Sequence, residues 1–123
     1  MSLKIVVGGQ FAKQEIKAYL EQQGNAFEVT VKSDLDAAMA MKRGEHDFYI
    51  GACDTGSGGA LAMAIALLGK NRCATISTPT TAMSYEEILR EFQSGKVAYG
   101  FTKNSLEHML PLLTKALLEY GGQ

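Results

Sequence analysis

A glycine-rich turn, "CDTGSGG" at residues 53–59, holds the residue types in this sequence that are best suited to chemistry. A thiol, Cys53, and a carboxylate, Asp54, come directly before two hydroxyl side chains and three glycines. Glycine loses more conformational freedom on folding than other residues, so such a cluster indicates a backbone geometry that other residues rarely adopt. An apolar segment with the composition of a buried helix follows at 59–69.

We predict that this turn binds an anion. A helix that begins directly after a glycine turn has unpaired backbone N–H groups in its first turn, at the positive end of the helix dipole. Glycines allow these groups to approach phosphate oxygens closely. The residues expected to bind the ligand here are Thr55, Gly56, Ser57, Gly58 and Gly59. The alternative is a tight turn in which Gly59 only allows a helix to pack closely on a sheet.

Cys53 and Asp54 are the candidate catalytic residues of the turn. A helix N-terminus can activate a thiol as a thiolate, and a carboxylate beside an anion site can transfer a proton or bind a sugar hydroxyl. Each residue also has a structural alternative. A lone cysteine is commonly a small buried apolar residue, and an aspartate in this position can cap the helix.

No cofactor and no metal site is predicted. Neither Cys53 nor Cys73 belongs to a Cys-x-x-Cys pair, and neither histidine has metal-ligand spacing from them. The turn also lacks the Gly-Lys-Ser/Thr end of a nucleotide-binding P-loop and the Gly-x-Gly-x-x-Gly spacing of a dinucleotide fold.

The composition excludes several other classes of protein. The 123 residues fit one domain, 46% of them are hydrophobic, and the net charge of −1 has no basic stripe for nucleic acid or for a membrane surface. The longest apolar run, 59–69, is far shorter than the roughly 20 residues that span a bilayer. Two isolated cysteines and the lack of a basic-then-apolar leader predict a cytoplasmic location.

Apolar periodicity predicts alternating strands and helices along the whole chain. Strands are predicted at 3–8, 26–32, 47–53, 72–77 and 97–101. Helices are predicted at 11–24, 33–44, 59–69, 84–95 and 104–122. Ser84 and Glu87 have the spacing of a capping box at the start of the fourth helix, and Pro111 should kink the last helix or mark its first turn.

This alternation predicts a single three-layer, doubly wound α/β domain over 1–123, with five mostly parallel strands and helices on both faces. We expect the flavodoxin-like strand order 2-1-3-4-5, in which strands one and three meet at the point where such sheets bind ligands. The loop after strand one would then face the turn at 53–59. It adds Gly8, Gly9 and Gln10 to the expected ligand-binding residues.

Two further loops reach the same end of the predicted sheet. Thr78, after strand four, is expected to contact a polar ligand, with a hydroxyl-capped turn as the alternative. Lys103, Asn104 and His108 follow strand five and could reach the crevice, although a histidine on a helix face is more often a surface or packing residue. His46 lies at the opposite end of the sheet, in a solvated loop.

The whole chain resembles the YhfU-like family of small bacterial proteins of unknown function. The resemblance is carried by "KIVVGGQ" at the start, "GACDTGSGG" in the middle and "VAYGFT" towards the end. It implies a bacterial cytoplasmic protein and supplies no activity.

About the first three quarters of the chain also resemble the ribose-5-phosphate isomerase B and galactose-6-phosphate isomerase superfamily. The family motif, Cys-Gly-Thr-Gly-x-Gly followed by a helix of small residues and a strand near Arg-Ala-Ala, is similar to 53–58, Arg72 and Ala74 here. In that family the cysteine moves a proton between sugar carbons and the turn holds the enediolate. The resemblance implies those roles for Cys53 and for the backbone of 56–58.

The sequence departs from the isomerase pattern at three places. Gln10 and Phe11 stand where the family has an Asp-His pair, and the arginine-rich phosphate clamp near the C-terminus is missing. Asp54 replaces a glycine of the motif, and a carboxylate beside Cys53 would weaken it as a base. The expectation is a related architecture with a changed or lost reaction.

These observations predict a protein that binds a small anionic metabolite, a sugar phosphate or a carboxylate, with isomerase-like proton transfer if it is an enzyme. The alternative is a non-catalytic ligand sensor or an oligomeric accessory subunit. The third and last helices are rich enough in Leu and Met to form an interface as well as a core. A homodimer or a higher homo-oligomer is therefore expected.

Overall fold

A computed structural model describes residues 2–55 and 58–121. Within these residues, five strands form one parallel sheet and alternate with five α-helices, which confirms the predicted fold class. The strands are β1 (Leu3–Gly9), β2 (Phe27–Val31), β3 (Phe48–Cys53), β4 (Cys73–Thr75) and β5 (Ala98–Thr102). The helices are α1 (Lys13–Glu21), α2 (Asp34–Lys42), α3 (Gly58–Leu68), α4 (Tyr85–Gln93) and α5 (Leu106–Tyr120).

The strand order is β2-β1-β3-β5-β4, so the predicted order 2-1-3-4-5 is wrong in its last two places. β5 lies between β3 and β4 and pairs with both. All five residues of β5 are buried, as expected for a strand inside a sheet with both faces covered. β4 has only three residues and suits the edge. Alternation along the chain does not distinguish these orders, because right-handed crossovers can build either one.

Helices cover both faces of the sheet and give the three layers. Successive strand residues point to opposite faces, so Ile5 and Val7 pack with α1, α4 and α5, while Val6 packs with α2 and α3. The same alternation at the end of β3 places Ala52 in the first of these cores and Cys53 in the second. Two apolar cores account for strands that are apolar nearly throughout.

The helix ends follow local sequence signals. The predicted capping box of α4 is present: Ser84 Oγ accepts from the Glu87 amide at 3.2 Å, and Glu87 Oε1 accepts from the Ser84 amide at 3.0 Å. α5 begins at Leu106, after a 3₁₀ turn at Lys103–Ser105, and runs through Pro111, which therefore lies inside the helix. Across the described ranges, the structure contains no helix that is both long and apolar enough to cross a membrane.

Candidate functional site

The crevice at the carboxyl end of the sheet is formed by the segments that follow β1, β3 and β5. β3 lies between the other two strands and pairs with each, so the predicted adjacency of strands one and three is present. The displaced position of β5 brings its following turn, Lys103–Ser105, beside the turn after β3. In the predicted order, β4 would have separated these two turns.

Asp54 and Lys103 form an ion pair across this crevice. Lys103 Nζ lies 3.3 Å from Asp54 Oδ1, and 4.2 Å from the centre of the Phe11 ring. One residue from each of the three segments thus meets at a single point. The side chains of Lys103 and Asp54 are 44% and 68% exposed. An exposed pair of this kind contributes only about 0–1 kcal/mol, so a bound anion can replace the carboxylate at low cost.

The two candidate catalytic residues occupy different surroundings. Cys53 is 1% exposed, and its side chain lies in the core between the sheet and helices α2 and α3. Its Sγ atom is 3.5 Å from Thr55 Oγ1. Asp54 is exposed at the mouth of the crevice. The geometry gives Asp54, rather than Cys53, direct access to a ligand, while the catalytic role of each remains a prediction.

The loop after β1 uses its backbone amides within the protein. Gly9 donates to the hydroxyl of Tyr49 at 3.0 Å, and the amides of Gln10 and Phe11 both donate to the Ala52 carbonyl, at 3.0 and 3.1 Å. Gly8 and Gly9 therefore have a structural reason to be glycines. A Cβ at Gly8 would lie 2.7 Å from Tyr49 Cε2, and Gly9 has a φ of +75°. The exposed side chain of Gln10 is the group of this loop that faces solvent.

Two clefts open beside the Asp54–Lys103 pair. The larger, of about 580 Å³, is within the range of small-ligand sites. Its charged lining residues are Lys103, Glu15 and Glu107. The smaller, of about 330 Å³, is lined mainly by hydroxyl side chains of 78–81 and 102–105. Asn104 lines both clefts and so lies on the ridge between them.

Thr78 lines the smaller cleft, but its hydroxyl serves its own turn. Thr78 Oγ1 accepts from the amides of Thr80 and Thr81, at 3.3 and 3.1 Å, and lies 2.6 Å from Thr81 Oγ1. This is the capped turn that the sequence left open as the alternative. Contact of Thr78 with a ligand stays a prediction.

The structure also shows where most of the other residues named from the sequence lie. α3 begins at Gly58, so Gly58 and Gly59 are its first two residues, and Gly56 and Ser57 lie outside the described residues. His108 is exposed on α5 and lines neither described cleft. His46 lies at the amino end of the sheet. Burial lowers the pKa of its imidazole, and the positive charge of Lys32 lowers it further.

In the described part of the chain, no group of three or more His, Cys, Asp or Glu residues is arranged to hold a metal ion.

Lys103 is the crevice residue to which sequence reasoning gave too little weight. The signal was present, since a lysine follows the last strand directly. Its value depended on strand order, because only a central β5 places that lysine beside Asp54.

The fold of this chain matches that of solved type B ribose 5-phosphate isomerases. The structure matches a type B ribose 5-phosphate isomerase from Trypanosoma brucei with a TM-score of 0.72 at 17% identity, covering 100% of this chain and 91% of that one. It matches ribose 5-phosphate isomerase RpiB from Thermotoga maritima with a TM-score of 0.70 at 19% identity, over 100% and 92% of the two chains. For the isomerase B of Clostridium thermocellum the TM-score is 0.67 at 22% identity, over 95% and 84%. At these identities the likeness establishes the fold.

The chain belongs to the DUF2620 family of proteins of unknown function, whose model matches residues 3–117. It is 41% identical over 115 residues to the uncharacterized protein YhfU of Escherichia coli strain K12, covering 93% of this chain and 97% of that protein. YhfU of Shigella flexneri gives the same identity and coverage. The resemblance to the YhfU-like family that was inferred from the sequence is thereby confirmed. The resemblance to the isomerase B superfamily is confirmed as a likeness of fold.

Proposed function

We propose that this protein binds a small anionic metabolite, a sugar phosphate or a carboxylate, in the crevice at the carboxyl end of β1, β3 and β5. The observation that carries the proposal is the Asp54–Lys103 pair. Its lysine lines a cleft of about 580 Å³, and its aspartate precedes α3, which begins at Gly58. The isomerase B fold supports it, because the solved neighbours are named as enzymes of a sugar phosphate.

The anion would bind between Lys103 and the first turn of α3. Lys103 supplies a full positive charge, and the helix supplies unpaired N–H groups at the positive end of its dipole. Binding would replace the 3.3 Å contact of Lys103 with Asp54 by a contact with the ligand. Thr55, which directly follows Asp54 and is exposed, would add a hydroxyl.

In the catalytic form of the proposal, Asp54 transfers the proton. Once Lys103 binds the anion, the carboxylate of Asp54 is free to take the proton from a hydroxyl-bearing carbon next to a carbonyl group and return it to the carbonyl carbon. The proton of the hydroxyl group moves to the former carbonyl oxygen in the same conversion. Atoms and charge balance, because the product is an isomer of the substrate. Cys53, which has this role in the isomerase resemblance, lies in the core below the turn.

A non-catalytic ligand sensor is the second candidate, and one observation favours it. Phe11 stands where the isomerases have a histidine, and in this structure its ring lies under the Lys103 ammonium group at 4.2 Å. A phenyl ring transfers no proton, so ring opening of a sugar has no acid or base at this point. A protein that only senses the ligand needs none.

The binding experiment is a titration with inorganic phosphate, ribose 5-phosphate and small carboxylates, followed by thermal shift and calorimetry. Lys103→Met should weaken binding by at least about tenfold, since a charged contact is worth more than about 1.4 kcal/mol. Lys115→Met is the matched control, because Lys115 is also exposed and also lies over an aromatic ring, that of Tyr85, at 4.4 Å. Equal affinity in the wild type and Lys103→Met would contradict the proposed site.

The two candidates are separated by proton exchange in deuterium oxide. An enzyme should incorporate deuterium next to the carbonyl of a bound sugar phosphate, and Asp54→Asn should abolish the exchange without abolishing binding. Asp36→Asn, at an exposed carboxylate of α2, is the control. Binding without exchange in the wild type identifies the sensor.

The proposal also includes a homodimer in the cytoplasm. Cys53 and Cys73 are both buried and are not joined by a disulfide, as is usual in a reducing compartment. Leu35 and Met39 of α2 and Met63 of α3 are exposed apolar side chains on two helices that pack together, and they suit a contact with a second copy.

A further inference from the structure

The hydroxyl of Tyr49 joins three elements that border the crevice. Tyr49 is the second residue of β3, and its side chain is 0% exposed. Its Oη atom accepts from the amide of Gly9, the last residue of β1, at 3.0 Å. It also lies 2.7 Å from Oδ1 of Asp34, the first residue of α2, and 2.6 Å from the carbonyl oxygen of Ala60, in the first turn of α3.

These contacts use all of the hydrogen-bonding capacity of the phenol. Its single proton has two acceptors, the Asp34 carboxylate and the Ala60 carbonyl, and its oxygen receives the Gly9 amide. Burial raises the pKa of the Tyr49 hydroxyl far above its usual value, and the hydrogen bond to Asp34 raises it further. The hydroxyl is therefore protonated at neutral pH and donates to these acceptors, so that it connects the elements and does not act as an acid.

Two glycines fix the place of the ring. A Cβ at Gly8 would lie 2.7 Å from Tyr49 Cε2, and a Cβ at Gly51 would lie 3.2 Å from Tyr49 Cε1 and 2.8 Å from the Ala60 carbonyl. The ring fills the space that these two strand positions leave open. Its hydroxyl lies close to the start of α3, 2.6 Å from the Ala60 carbonyl oxygen.

We propose that Tyr49 is the positioning residue of the crevice: its hydroxyl holds the end of β1 and the first turn of α3 in the relative placement that anion binding needs. This inference rests on the proposed function for the identity of the crevice. In the sequence, "DFYIGAC" predicts an apolar strand, and no motif or spacing indicates a special role for its tyrosine.

Tyr99 provides a matched control within the same sheet. It is also 0% exposed and lies on the neighbouring strand β5. Its hydroxyl makes one described hydrogen bond, to the carbonyl of Lys96 at 2.9 Å, at the amino end of β5 and away from the crevice. Tyr99→Phe and Tyr49→Phe each remove one buried hydroxyl, so any general cost of that loss appears in both.

The experiment measures amide hydrogen exchange by NMR and affinity for inorganic phosphate in the wild type and both variants. In Tyr49→Phe, the amide of Gly9 loses its acceptor and should exchange faster, and the affinity should fall roughly tenfold. In Tyr99→Phe, this amide and the affinity should stay at wild-type values. Asp34→Ala, which leaves the buried ring in place, should speed the Gly9 exchange in the same direction and covers the case in which Tyr49→Phe does not fold.

Three results would overturn the positioning role. The first is unchanged exchange of the Gly9 amide in Tyr49→Phe. The second is an equal change in the two phenylalanine variants, and the third is an unchanged affinity although the Gly9 amide exchanges faster. If the wild-type protein binds neither phosphate, nor sugar phosphate, nor any of the small carboxylates, the proposed function fails. The exchange measurements then decide alone whether Tyr49 holds these elements together.

Discussion

Two consecutive residues, Cys53 and Asp54, are in opposite environments because β3 ends between them. Within the strand, alternation directs the Cys53 thiol into the core beside α2 and α3, while Asp54 begins the turn and faces solvent. Of these two residues, only the carboxylate of Asp54 can be reached from solvent without a movement of the core.

Both cysteine thiols should react slowly in the native protein. Cys73 is also buried. This burial raises the pKa of its thiol, and the positive charge of Lys96 partly offsets the increase. Titration with an aromatic disulfide reagent at neutral pH should therefore label neither thiol quickly, and in denaturant both thiols should react at once. Rapid labelling of Cys53→Ala would show that Cys73 is accessible, and rapid labelling of Cys73→Ala would restore Cys53 as a candidate base.

Gly8→Ala should destabilise the protein by about 1–3 kcal/mol, the usual cost of an added carbon in a packed site. The new Cβ would lie 2.7 Å from Tyr49 Cε2, 2.8 Å from its hydroxyl and 2.9 Å from the Ala37 Cβ. Unfolding in urea measures the change. Gly44→Ala is the control, because nothing lies within 4 Å of its added carbon and only its φ of +78° opposes the substitution. A cost at Gly8 below that at Gly44 would contradict the close packing of the ring.

At the scale of elements, local signals act where both partners are close in sequence. The capping box of α4 joins Ser84 and Glu87, three residues apart, and the sequence predicted both hydrogen bonds correctly. The start of α5 was predicted too early. The first two residues that the pattern assigned to this helix belong to the 3₁₀ turn after β5.

Ser84→Ala should cost about 1 kcal/mol of stability, since it leaves the Glu87 amide without its acceptor. The contribution of Glu87 to the same capping box should depend on pH. The hydrogen bond from the Ser84 backbone is the main cause of a lowered pKa of the Glu87 carboxyl. Because this pKa is lower in the folded state, the carboxylate stabilises the protein at pH values above its unfolded-state pKa of about 4.3. The contribution is lost as the pH falls through the folded-state pKa.

Urea unfolding of the wild type, Ser84→Ala and Glu87→Gln at neutral pH and at about pH 3.5 tests this account. Glu87→Gln should remove the pH-dependent part, because an amide does not titrate in this range. Ser94→Ala, at the other end of α4, is the control: its hydroxyl donates to the Arg90 carbonyl, which can bond water instead. A larger cost at Ser94 than at Ser84 would be evidence against the capping box.

At the scale of the whole molecule, the alternation of elements was sufficient to predict a parallel sheet with two covered faces, and the order of its strands was not predictable. The pattern of "KVAYGF" shows an apolar strand but not its neighbours, because pairing depends on contacts far apart in sequence. The candidate site could likewise be predicted only in part. Asp54 was recognised from its turn, whereas Lys103 and Tyr49 gained significance only through strand order and the path of a buried side chain.

The last prediction concerns assembly. α3 carries no charged residue over Gly58–Leu68, and its exposed Met63 lies on the same side of the sheet as the exposed Leu35 and Met39 of α2. A second copy that covered this surface would remove it from water, which favours association by about 25 cal/mol for each Å² of apolar area buried. Leu35→Lys with Met63→Lys should therefore convert a dimer into a monomer in light scattering. Leu118→Lys, at an equally exposed leucine of α5, should leave the dimer intact. A monomeric wild type at high concentration would refute the dimer, and dissociation by Leu118→Lys alone would place the interface on the opposite layer.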